Sequence, residues 1–195
     1  QVGNFATFPF VKTWPAGTDD AVVQRDLFGF WEYFRPDYAM GDAYGLGMLT
    51  NLNDMLFARG LTDIDRRSIG DGQSTASTWM HWPFAPIRFE GMTKHNMASL
   101  LRTAFHNGQA AIPYVDDGSD ALRTKNAANT SWGPSRLDEI GADSSDFALF
   151  IRQLGNVKSA PAKNAAYNTY KMANPKIGDD LFDAACAAVY AMVTA

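Results

Sequence analysis

Arg102 and His106 stand four residues apart in the run Leu100-Leu101-Arg102-Thr103-Ala104-Phe105-His106-Asn107-Gly108. On a helix that spacing puts both side chains on one face. A guanidinium fork beside an imidazole can hold an anion or polarise a bound oxygen species. Phe105 precedes the imidazole and the amide of Asn107 follows it, so one short segment offers a cation, a proton carrier and an orienting group. The chain has only three histidines, His81, His95 and His106. They are too scattered in sequence to predict a metal triad, and no HExxH pattern occurs. No metal site is expected. Asp116, Asp117 and Asp120 offer oxygen ligands but lack a complete calcium loop, which favours a solvent-facing turn. Gly70-Asp71-Gly72-Gln73-Ser74 has no lysine where a phosphate-cradling loop needs one, and no GxSxG elbow marks a nucleophilic serine.

The segment that positions Arg102 and His106 reads as a helix over residues 92–107, capped by Thr93 and closed by Gly108, with Met97, Leu100, Leu101, Ala104 and Phe105 as its apolar stripe. Four more helical segments accompany it. Residues 20–35 carry Val23, Leu27, Phe30, Trp31 and Phe34 behind a cap at Asp19 or Asp20, and Pro36 stops them. Residues 44–59 carry Leu46, Leu49, Leu52, Leu56 and Phe57, with Gly60 at the C-cap position. Residues 145–154 follow Ser144 or Ser145 as cap and end at Gly155. The last helix runs from Asp179 to the terminus through Leu181, Phe182, Ala185, Cys186, Val189, Tyr190 and Val193. Shorter helical pieces are expected near 62–68, 135–140 and 162–172. Only Ile87-Arg88-Phe89 and the stretch around Ile112 read as strand.

The expected fold is therefore mainly α: a single helical domain over residues 21–195 with long ordered loops at 69–91 and 109–145, preceded by an extended aromatic arm over residues 1–20. Phe5, Phe8, Phe10 and Trp14 in the arm, with Trp79 and Trp82 in the first long loop, are the candidate partner-binding residues. Such aromatics also pin a segment to its own core.

Composition narrows the function classes. The chain has 195 residues, 46% of them hydrophobic and 13% aromatic, enough for a substantial core. Its formal charge is -4 with signs mixed, which argues against a nucleic-acid surface, so no nucleic-acid partner is expected, while a local basic site stays open. Cys186 is the single cysteine, so neither an intrachain disulfide nor a four-cysteine zinc site can form. No run of about twenty apolar residues exists to cross a bilayer as one helix; peripheral association stays open. The sequence opens Gln-Val-Gly, which suits a processed, organelle-luminal or exported protein.

The run Arg102 to Asn107 resembles the distal-side helix of haem peroxidases. Asp117-Gly118-Ser119-Asp120-Ala121-Leu122-Arg123 is similar to that family's Asp-Gly-Ser loop. Asn126-Ala127-Ala128-Asn129 and Ser144-Ser145-Asp146-Phe147 follow in the family's order, so the resemblance covers residues 100–155. It implies that His106 takes a proton from peroxide, that Arg102 stabilises the charge developing on the departing oxygen, and that Asn107 orients the histidine, with haem as cofactor. The family's proximal histidine has no counterpart, because no histidine follows His106; Cys186 is the only downstream thiolate. The resemblance then implies a domain that lost its cofactor and was kept as a scaffold, as in peroxidase-like proteins of the thylakoid lumen, within a photosynthetic complex. The expected function is a noncatalytic subunit of a larger assembly, with no cofactor and with other protein subunits as partners. A haem peroxidase and a viral coat protein, whose helical body extends arms to its neighbours, are the alternatives.

Overall fold

A computed structural model describes residues 6–63, 82–112, 144–163 and 165–194. Among them, helices predominate: α1 (Asp20–Phe34), α2 (Leu46–Ala58), α3 (Gly91–His106), α4 (Ser144–Asn156) and α5 (Asp180–Thr194). Three two-stranded sheets accompany them. The chain falls into two compact units. One comprises Gln1–Thr13 and His95–Cys186, the other Trp14–Lys94 and Ala187–Ala195, and the division falls within α3 and α5. The expected piece at 62–68 is not helical at Thr62 and Asp63, and its remainder, the piece at 135–140, the Asp116–Asp120 and Asn126–Asn129 segments, and Phe5, Trp79 and His81 lie outside the described residues.

The second unit is built on α1 and α2. Asp19 caps α1, its carboxylate accepting from the Ala21 amide at 2.7 Å, which satisfies one of the helix's free first-turn donors. The helix stops at Arg35, in the left-handed region at φ 50°, whose N–H donates to the Trp31 carbonyl; Pro36 cannot continue it. A 3-10 turn (Ala43–Gly45) leads into α2. At its end, Gly60 at φ 65° donates to the Phe57 carbonyl and Leu61 donates to the Leu56 carbonyl, the paired closure that a glycine after a helix allows.

Strands β2 (Ala39–Asp42) and β3 (Phe84–Ile87) pair in parallel, Ala39 opposite Phe84 and Asp42 opposite Ile87. Ala39–Asp42 is not an expected strand, and β3 meets the expected Ile87-Arg88-Phe89 at Ile87 alone, lying upstream of it rather than running through Arg88 and Phe89. Ala-Met-Gly-Asp has low strand propensity, and its pairing lies across a connection that contains α2. The free edge of β3 is occupied by a side chain. Asn53, buried on α2, donates from Nδ2 to the Phe84 carbonyl at 3.0 Å and accepts the Phe84 N–H on Oδ1 at 2.9 Å. The amide thus stands in for a strand neighbour. Around it Phe28, Trp31, Leu49, Leu52, Leu56 and Phe84 form the core, with Trp31 and Phe84 rings 4.8 Å apart.

In the first unit the arm is a working part of the fold. β1 (Ala6–Thr7) pairs in parallel with β4 (Ala110–Ala111). The Phe8 ring stacks on Phe105 at 6.1 Å and meets Phe150 edge-on at 5.4 Å. The Thr13 amide and hydroxyl both donate to the buried carboxylate of Asp146, the amide at 3.2 Å. β5 (Val157–Pro161) and β6 (Asn168–Met172) form an antiparallel hairpin. The short helix expected over 162–172 is therefore a loop followed by a strand; Thr169 and Tyr170 are strand formers, and their partner strand lies immediately upstream. Gly155 does not close α4, which runs to Asn156 and directly into β5. Thr93 lies inside α3 rather than capping it, because the helix begins at Gly91.

Two further side-chain amides complete the first unit. Asn156 donates to the Asn174 carbonyl at 3.0 Å and accepts the Asn174 N–H at 3.1 Å, closing the base of the hairpin. Gln153 is 2% exposed. Its Oε1 accepts from the Leu181 and Phe182 amides at 2.8 and 3.1 Å, and its Nε2 donates to the Ile177 carbonyl at 3.2 Å. The start of α5 is thus capped by a side chain from α4.

Candidate functional site

Arg102 and His106 lie on α3, one turn apart and on one face, and both are exposed. Asn107 sits just past the helix, its N–H donating to the Thr103 carbonyl at 2.9 Å and its side chain reaching Gln109 at 3.5 Å. Gly108 at φ 65° donates to the Phe105 carbonyl and Gln109 donates to the Ala104 carbonyl, so α3 ends as Gly108 predicts. Extending the face backwards by four- and three-residue steps brings in Ser99 and His95. The result is a polar stripe of His95, Ser99, Arg102 and His106 beside the buried Met97, Ala98 and Leu101.

The upper half of that stripe meets the hairpin. His95 Nδ1 accepts the Asn168 N–H at 3.2 Å. A backbone amide can only donate, so Nδ1 is the acceptor and the ring hydrogen of the neutral imidazole sits on Nε2. The Tyr170 hydroxyl lies 3.4 Å from Nδ1 and 3.3 Å from Ser99 Oγ, while the Tyr170 ring lies 6.1 Å from His95 and 6.4 Å from Phe182. His95 therefore anchors β6 to α3. The lower half, Arg102 and His106, is exposed and can meet an anion at the surface. Sequence reasoning missed His95, Ser99 and Tyr170 because their meeting depends on β6.

The remaining expected site residues are also placed. Phe8 packs on Phe105 and Phe150 as described above. The Trp14 indole donates to Asp26 at 3.1 Å, and its ring lies 6.3 Å from Phe30. Phe10 is half-buried and Trp82 is buried. Cys186 is fully buried on α5. Among the described residues no three His, Cys, Asp or Glu side chains converge as metal ligands would, and no helix is long and apolar enough to cross a membrane.

The second unit carries an open cleft of about 440 Å3 lined by residues that include Gln24, Arg25, Phe28, Met55 and Arg59. Arg25 is paired with Asp26 at 3.0 Å, and the Arg59 guanidinium lies 6.0 Å from the Phe28 ring centre. Elsewhere in this unit the Tyr38 phenol is pushed above its usual ionisation range, first by burial and then by the neighbouring Tyr190.

Compared with protein-family models, curated proteins and solved structures, the chain gives no match.

Proposed function

We propose that this chain is a noncatalytic subunit of a larger protein assembly. The observation that carries the proposal is the surface of the second unit. Among the described residues, seven of the eight large exposed hydrophobic side chains belong to it: Tyr33, Phe34, Tyr44, Met55, Met92, Met192 and Val193. Tyr44 is 92% exposed and Val193 58%. A single exposed apolar side chain is ordinary; a set concentrated in one unit supports contact with other subunits. Tyr33 and Phe34 also pack edge to face, 4.9 Å apart, presenting a paired aromatic surface at the end of α1.

Arg102 and His106 are exposed, and among the described residues nothing covers them, which accords with the noncatalytic reading. Purification from the native source tests both halves. The expected result is a native particle well above the mass of the same chain under denaturing conditions, and no Soret band. A stable monomer, or a Soret band that shifts on adding peroxide, overturns it.

A further inference from the structure

The charge of this chain is strongly segregated. Residues 147–178 hold five cations, Arg152, Lys158, Lys163, Lys171 and Lys176, and none of the chain's 21 acidic residues, although the whole carries -4. All five are exposed and lie in the first unit. Four of them cluster on or beside the β5–β6 hairpin. None of the five has an ion-pair partner among the described residues.

The register sharpens the pattern. Lys158 and Lys171 are direct partners across the hairpin. Tyr170, opposite Ser159, turns inward to Ser99, His95 and Phe182, so alternation puts Lys158 and Lys171 on the outer face with Ala160 and Thr169. Like charges directly opposite on one sheet face destabilise the free protein. An anion bridging the two ammonium groups removes that repulsion. Lys163 in the hairpin loop and Lys176 beyond β6 extend the basic surface past both ends of the pair.

We propose that the outer face of the β5–β6 hairpin binds the phosphate backbone of a nucleic acid, independently of sequence. Lysines are mobile point charges suited to repeated phosphates. Nothing on this face reads bases. A lipid surface is the poorer fit, because among the described residues only Ala160 and Thr169 lie between the lysines on this face and neither can insert among acyl chains. An acidic protein is also the poorer fit, because among the described residues the face has no apolar or arginine anchor at its centre around which a protein interface could close.

Fluorescence anisotropy with labelled oligouridine tests this on the full chain. Binding is expected to weaken linearly on a log–log salt plot, with a slope of about -0.7 per phosphate contact. Lys158→Gln/Lys171→Gln is expected to reduce the slope by about 1.4 and to weaken binding about tenfold at about 0.15 M salt. Lys158→Arg/Lys171→Arg keeps the affinity. Lys171→Gln alone raises the melting temperature of the free protein by about 1–2 °C while weakening binding, a pair of opposite effects that misfolding cannot produce. The proposal is overturned if oligouridine does not bind at low salt, if the double glutamine variant keeps the wild-type affinity and slope, or if the double arginine variant loses binding. It is equally overturned if polyglutamate or phosphatidylserine-containing vesicles bind as tightly as oligouridine.

Discussion

Gln153→Leu isolates the contribution of one buried amide. Leucine has nearly the volume of glutamine and suits the apolar face that α4 shares with Phe147 and Phe150. What it removes is polar. The Leu181 and Phe182 N–H groups are among the first amides of α5, which have no partner within the helix. Both residues are buried, at 8% and 6% exposure, so water does not readily replace the lost acceptor. The Ile177 carbonyl loses its donor at the same time. A buried polar group left without its partner costs about 1–3 kcal/mol, and the greater hydrophobicity of leucine offsets part of this, so the expected net loss is about 2–4 kcal/mol. Urea unfolding followed by circular dichroism measures the total. Hydrogen exchange at Leu181 and Phe182 locates it, with both amides expected to lose protection. Gln153→Glu separates the two roles: a carboxylate still accepts from both amides, so their protection survives, while Ile177 faces an acceptor instead of a donor. The reasoning fails if Gln153→Leu costs less than about 0.5 kcal/mol and leaves both amides protected.

Three further outcomes follow from the second unit. Asn53→Ala removes both bonds to Phe84 and leaves a cavity beside a fully buried Leu52; a loss of about 2–4 kcal/mol is expected in the same unfolding assay, with the Phe84 amide exchanging faster. Gly41→Ala places a methyl 2.5 Å from a Leu49 methyl in the packed core, and forcing Leu49 aside is expected to cost about 1–3 kcal/mol by thermal melting. Tyr38 ionises at higher pH when folded than its ordinary 10.0, so its contribution to stability is intact below pH 10.0 and is lost as pH rises through the folded value. Tyr38→Phe should flatten that alkaline part of the stability profile, measured by urea midpoints across pH.

The parts of the fold written in the sequence are the local ones. Asp19, Gly60 and Gly108 mark helix ends because capping acts within a few residues, and the apolar spacing of Leu49, Leu52 and Leu56 places α2 on the core. The strands are short: Ala39–Asp42 meets its partner across α2 and carries little strand signal of its own, and Asn168–Met172, only five residues long, reads as part of a helix until β5 pairs with it. The amide clasps are equally nonlocal: Gln153 acts on Leu181 and Asn53 on Phe84. A lone glutamine following Phe147 and Phe150 on the apolar face of α4 is nonetheless a usable signal, because a buried amide must find partners. The common face of Arg102 and His106 was legible from their spacing. Its continuation through Ser99 to His95, and the junction with Tyr170, became visible only with β6 in place.

Sedimentation velocity on protein purified from its native source, followed over a range of concentrations, tests the central claim most directly. A boundary well above the mass of the denatured single chain is expected, moving toward that single-chain mass when Tyr44 and Met192 are both changed to serine. A single boundary at the denatured single-chain mass, for the unaltered protein at every concentration, would contradict the assembly reading.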